Sequence, residues 1–73
     1  MEQTELVNLV AAILETDASN VGIDDKLEGI GWDSLSRLSF LAELDDRGIS
    51  LSPDELAEAR TVSDLLALAS ANR

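Results

Sequence analysis

The chain has 73 residues, fifteen of them acidic and five basic, for a formal net charge of −10. It holds no Cys and no His. That excludes a disulfide framework, a Cys-ligated zinc, a thiolate nucleophile and any Ser-His or Cys-His pair. The negative balance argues against nucleic acid and anionic membrane as partners, since both would repel the chain, and asks for a basic contact face on any partner protein. No apolar stretch approaches the roughly 18 residues of a membrane span. The acidic start, Met1-Glu2-Gln3-Thr4-Glu5, does not resemble a signal peptide. The expectation is a cytoplasmic monomer made of a single domain, residues 1–73, with a modest core. At 45% hydrophobic residues the chain is too apolar for a disordered acidic tail.

The periodicity is helical throughout. Leu6, Val7, Val10, Ile13 and Leu14 recur at spacings of three and four, which predicts a first helix from about Thr4 to Thr16. A long connection follows, from about Asp17 to Trp32, punctuated by Val21, Ile23, Leu27 and Ile30. Loops of this length are functional or disordered, and the regular apolar residues favour an ordered loop anchored on the rest of the domain. The run Leu35-Leu38-Phe40-Leu41-Leu44 predicts a second helix stopping before Gly48. Ser52-Pro53-Asp54-Glu55 combines an N-cap serine, a proline at the first helical position and a glutamate placed for a capping box, opening a short third helix. Thr61-Val62-Ser63-Asp64 reads as another N-cap, with Val62, Leu65, Leu66 and Ala69 as the buried stripe of a fourth. No strand or internal repeat is evident. The fold class is all-α, a four-helix bundle with a short third helix and a long loop between the first two.

Asp33 is a good N-cap, which puts Ser34 at the first residue of the second helix. A helix N-terminus offers free N–H groups and a positive dipole end, so Ser34 is chemically suited to carry a phosphodiester. Exposed first-turn serines are common, however, and Asp33-Ser34-Leu35 alone is weak. The second helix adds an independent clue. At about 100° per residue, Phe40, Leu41 and Leu44 point one way with Arg37 among them. Leu35, Leu38 and Ala42 lie on another face, beside Ser39, Asp45 and Asp46. Either one stripe faces outward as a partner surface bordered by acids, or both are buried because the helix is central to the bundle. Trp32 either packs the end of the loop against the bundle or edges that surface.

Taken together, these features resemble the acyl carrier protein family, including the peptidyl carrier domains of nonribosomal peptide synthetases. The resemblance covers nearly the whole chain, from the first helix and long loop through Asp33-Ser34-Leu35 to the short third helix and Thr61-Val62. It implies that Ser34 carries 4′-phosphopantetheine, placed there from coenzyme A by a phosphopantetheinyl transferase. It also implies that the arm's thiol holds an acyl or aminoacyl group as a thioester. Partners would then include a loading enzyme and downstream synthase or tailoring enzymes. Asp33 would serve as helix cap and in transferase recognition, with its carboxylate near the metal used in that transfer. Leu35, Leu38, Ser39, Ala42, Asp45 and Asp46 match positions where the family meets its partners. A carrier needs neither a base nor a thiol of its own, in keeping with the missing His and Cys. Two departures stand out: the turn after Asp45-Asp46 is one residue shorter than usual, with Ile49 and Leu51 available to fill the core there. Ser39 also stands where many fatty-acid carriers have an acidic residue, and Arg37 puts a positive charge early in the helix. Both point away from general fatty-acid synthesis and toward a dedicated carrier in a specialised polyketide, nonribosomal peptide or related pathway; the expectation is a freestanding carrier.

The remaining acidic pairs, Asp24-Asp25 and Asp45-Asp46, lack the alternating ligands and central Gly of an EF-hand and read as solvated faces. Gly31-Trp32-Asp33-Ser34-Leu35 is not the hydrolase elbow, and no metal site or catalytic residue is expected. The competing reading is a small acidic adaptor that binds a basic partner without a prosthetic group. Either way, a chain of net charge −10 repels itself. Its melting temperature should therefore rise with added salt in circular-dichroism melts; a salt-insensitive transition would contradict this.

Overall fold

Residues 1–71 are described by the structure, a computed structural model; residues 72 and 73 of the expected domain lie outside the described residues. Four α-helices form in chain order: α1 (Gln3–Ile13), α2 (Ser34–Asp46), α3 (Pro53–Ala57) and α4 (Val62–Ala71). Among the described residues there is no strand, only an isolated antiparallel bridge between Lys26 and Thr61. α1 packs on α2 and α4, and α3 bridges α2 to α4.

α1 ends earlier than its periodicity predicts, at Ile13 and not near Thr16. Glu15 turns into the left-handed region (φ +57°). The Thr16 amide then donates to the Ala11 carbonyl (2.9 Å) and the Glu15 amide to that of Ala12 (3.2 Å). These bonds make a Schellman ending with glutamate where glycine is usual, which is why the stop is invisible to a search for glycine. α2 ends the same way with the usual residue. Gly48 (φ +79°) allows the Ile49 amide to donate to Leu44 (2.9 Å), and both Ile49 and Leu44 are buried. Ile49 and half-buried Leu51 thus fill the core after the short turn, as expected.

The long connection is ordered by short 3₁₀ turns at Ala18–Asn20 and Leu27–Gly29. Val21 and Leu27 are buried, with Ile23 and Ile30 packed against the core. Backbone bonds then fasten the loop to the start of α4. The Leu27 amide donates to the Arg60 carbonyl (2.9 Å), Val62 to Asp25 (3.1 Å) and Ser63 to Ile23 (2.9 Å). Pairing backbone polar groups in this way spares the loop orphaned amides where Val21 and Leu27 carry it into the core.

At both later helix starts the expected caps form. The Ser52 hydroxyl accepts from the Glu55 amide while the Glu55 carboxylate accepts from the Ser52 amide, both at 3.2 Å. The Thr61 hydroxyl accepts from the Asp64 amide (3.3 Å), and Asp64 accepts from the Arg60 and Thr61 amides (2.9 and 3.2 Å). Phe40, Leu6, Leu44, Leu56, Leu65, Val10 and Val62 are the largest fully enclosed side chains. Trp32 meets Phe40 edge to face, ring centroids 5.7 Å apart at 72°, so it packs the end of the loop on the core.

One stripe of α2 is therefore core and the other is surface: Phe40 is 0% exposed, whereas Leu35 and Leu38 are 71% and 62% exposed. Phe40→Ala should cost about 3–5 kcal/mol in denaturant unfolding through the cavity it leaves. Leu38→Glu should change stability by no more than ~0.5 kcal/mol. Unfolding of Leu38→Glu, followed by circular dichroism, would place that residue in the core instead.

Candidate functional site

The site is built where the long loop delivers the chain to α2. Gly31 adopts φ +87°, a conformation that L side chains rarely take, although a Cβ there would meet nothing within 4 Å. Backbone geometry and not crowding makes glycine the suitable residue. The following Trp32 amide donates to the Leu27 carbonyl (3.1 Å), tying the turn back onto the loop.

Asp33 then caps α2 from an extended conformation. One of its oxygens, Oδ1, accepts from the Ser36 amide (2.9 Å) and from the Ser36 hydroxyl (3.0 Å). Ser36 is 8% exposed, the one buried polar side chain among the described residues, and this bond satisfies it. Sequence reasoning passed over Ser36. The available signal was a hydroxyl three residues after the cap, on the Phe40 side of the helix. The bonds from Ser36, amide first and then hydroxyl, hold the Asp33 carboxyl below its ordinary value of 3.8.

Ser34 is the first residue of α2 and is exposed, as the cap predicts. Its hydroxyl oxygen accepts from Arg37 Nη2 (3.2 Å). An open groove between α2 and α3 begins beside it, lined by Ser34, Arg37, Leu38 and Leu41 on one side and Pro53, Asp54 and Ala57 on the other. Leu35 lies next to Ser34, and Ala42, Asp45 and Asp46 are exposed further along the helix. By helical rotation these share a face with Leu35 and Leu38. Ser39 is exposed too, but lies at the margin of that face. It lines a separate groove between α1 and α2 with Glu5, Glu43 and Arg47, where Arg47 pairs with Glu5 at 3.2 Å. The structure thus brings Asp33, Ser34, Leu35 and Leu38 together at the head of α2 and leaves Ser39 to one side.

These features define a class, a small acidic helical domain that presents one serine at a helix N-terminus beside an apolar surface strip. Residues 4–69 match the family model for the phosphopantetheine attachment site, and the chain belongs to that family. Its members bind 4′-phosphopantetheine covalently and carry intermediates without being catalytic themselves. The chain is similar to orsellinic acid synthase of Beauveria bassiana, 36% identical over 63 residues, 84% of this chain and 3% of that protein. It is also similar to malformin synthetase of Aspergillus niger, 31% identical over 63 residues, 86% of this chain and 1% of that protein. It therefore spans between 1% and 3% of the length of these curated relatives. No solved structure gives a significant match. Among the described residues no helix is long and apolar enough to cross a membrane.

The head of α2 fits the prosthetic group. It offers an exposed hydroxyl, a guanidinium already bonded to that hydroxyl, first-turn amides suited to a phosphate and an open groove alongside.

Two carboxylates at helix starts tie stability to pH. Asp64, like Asp33, is held below 3.8, chiefly by the Arg60 and then the Thr61 amides. A carboxyl with a lowered folded-state value contributes stability that is complete above its unfolded value. That contribution is lost as pH falls through the folded value. The melting-temperature gap between the native protein and the double variant Asp33→Ala/Asp64→Ala should be full at pH 7 and narrow below about pH 4. A gap constant down to pH 2 would show that carboxylate charge is not what the caps contribute.

Proposed function

We propose that Ser34 is the residue that bears 4′-phosphopantetheine and that the protein is an acyl or aminoacyl carrier. The observation that carries this reading is the placement of the Ser34 hydroxyl, exposed at the first residue of α2 and bonded to a guanidinium. The chain's membership of the phosphopantetheine attachment family supports it. When bound, the arm supplies a terminal thiol that holds cargo as a thioester.

The protein's own residues present and recognise. Asp33 caps α2 and, through Ser36, keeps the turn that carries Ser34 rigid. The same carboxylate serves in recognition by the phosphopantetheinyl transferase. Leu35 and Leu38 supply an apolar strip, and Ala42, Ser39, Asp45 and Asp46 extend and border it. Partners therefore have a basic rim around an apolar centre. Acidic residues on the carrier steer such partners by long-range attraction, so association slows as salt rises.

The pathway in this reading is a specialised one, polyketide or nonribosomal peptide assembly, in which the domain works as a separate monomeric carrier in the cytoplasm. The likeness to orsellinic acid synthase and malformin synthetase supports the pathway class. The core formed among the described residues supports folding as an independent unit.

Intact-mass analysis after incubation with coenzyme A and a broad-specificity phosphopantetheinyl transferase tests the reading. The native protein should gain one phosphopantetheine group and Ser34→Ala none. An unchanged native mass overturns the carrier. Tight, salt-sensitive partner binding indifferent to the loss of the Ser34 hydroxyl would then favour the acidic adaptor.

A further inference from the structure

Arg37 is hard to account for by stability. It is the fourth residue of α2, close to the positive end of the helix dipole, where a carboxylate would be favoured and a cation is not. The chain holds fifteen acidic residues against five basic ones. Yet Arg37 makes no ion pair among the described residues, where the one ion pair joins Arg47 to Glu5. Asp54 lines the same groove without reaching ion-pair distance. Among the described residues, the one side-chain hydrogen bond of Arg37 runs to the Ser34 hydroxyl oxygen (3.2 Å). A guanidinium has five N–H donors in a planar fork, and most of them are left over.

The spacing explains the approach. Residues three apart on a helix are neighbours, so a long side chain at position 37 reaches the one at position 34 without distortion. Its fork geometry matches phosphate oxygens, and charge-assisted bonds of this kind are shorter and stronger than neutral ones. We propose that Arg37 is a positioning residue that pairs with the phosphodiester on Ser34 and fixes the root of the arm at the groove between α2 and α3.

The pairing rests on the assignment of Ser34 as the attachment residue. Arg37 neutralises the one charge that modification adds, on a surface already strongly negative. In the unmodified protein the same guanidinium rests on the hydroxyl. Arg37 is then an unfavourable cation in the unmodified helix and a favourable one in the modified protein. Loading should therefore stabilise the native protein relative to Arg37→Gln.

The test compares native protein, Arg37→Lys and Arg37→Gln, each unmodified and modified with the transferase and coenzyme A. Loading is scored by intact mass, the phosphodiester by its phosphorus NMR resonance, and stability by thermal melts. In the native protein the phosphorus resonance should differ from that of Arg37→Gln and converge on it as salt approaches ~1 M, where the Debye length is about 3 Å. Arg37→Lys should fall between, keeping the charge but losing the fork. The change in melting temperature on loading should be more favourable for the native protein than for Arg37→Gln. A phosphorus resonance identical in all three loaded proteins and indifferent to salt overturns the pairing while leaving the carrier intact. A native protein that gains no mass overturns the carrier reading and the pairing with it. Should Arg37→Gln resist loading, Arg37→Lys and the salt dependence of the native resonance decide the matter by the same criteria.

Discussion

The rotation of α2 about its own axis is set by Phe40 and Leu44, both fully enclosed, with Trp32 edge-on against Phe40. Each residue advances about 100° around a helix, so turning α2 by one position would carry the buried stripe into water. Burial of a large apolar side chain is worth about 1.5–3 kcal/mol, a strong constraint in a domain with so small a core. Because that rotation is fixed, the opposite stripe has no choice. Leu35 and Leu38 face outward, Ser34 lines the groove and Ser36 turns inward beneath the cap. The surface strip is thus a consequence of the core.

The axial position of the helix has a separate origin. The loop before α2 is bonded through its backbone to the start of α4, by Leu27 to Arg60, Val62 to Asp25 and Ser63 to Ile23. The Trp32 amide is in turn bonded to Leu27. A chain of backbone bonds therefore runs from the fourth helix to the residue preceding the Asp33 cap. The caps of α2 and α4, though 28 residues apart from Asp33 to Thr61, are joined through this loop. A long connection earns its length by positioning the serine without a helix of its own.

Charge has two scales in this molecule. The overall excess of acid sets which partners can approach and screens away with salt. Close to Ser34 the excess is offset, because Asp33, kept ionised by the bonds it accepts from Ser36, is balanced by Arg37, which pairs with no carboxylate among the described residues and touches the hydroxyl. A cation next to the serine is invisible in the net charge, yet it is the formal charge bonded to the Ser34 oxygen.

Much of the fold was legible because the local signals agree with one another. Apolar spacing marked four helices, Ser52-Pro53-Asp54-Glu55 and Thr61 marked two of the starts, and Gly48 marked a stop. The end of α1 was not legible, since Glu15 takes a left-handed conformation that its identity does not advertise. Nor was the role of Ser36, whose burial depends on the rotation of α2. Sequence by itself determined where Asp33 caps a helix, that Ser34 begins it, and that α2 carries two apolar stripes, because caps and periodicity act over three or four residues. Only the tertiary structure decided which stripe meets water, where the loop is fastened and that Arg37 reaches the Ser34 hydroxyl. Those outcomes depend on competition for a core assembled from residues far apart in the chain.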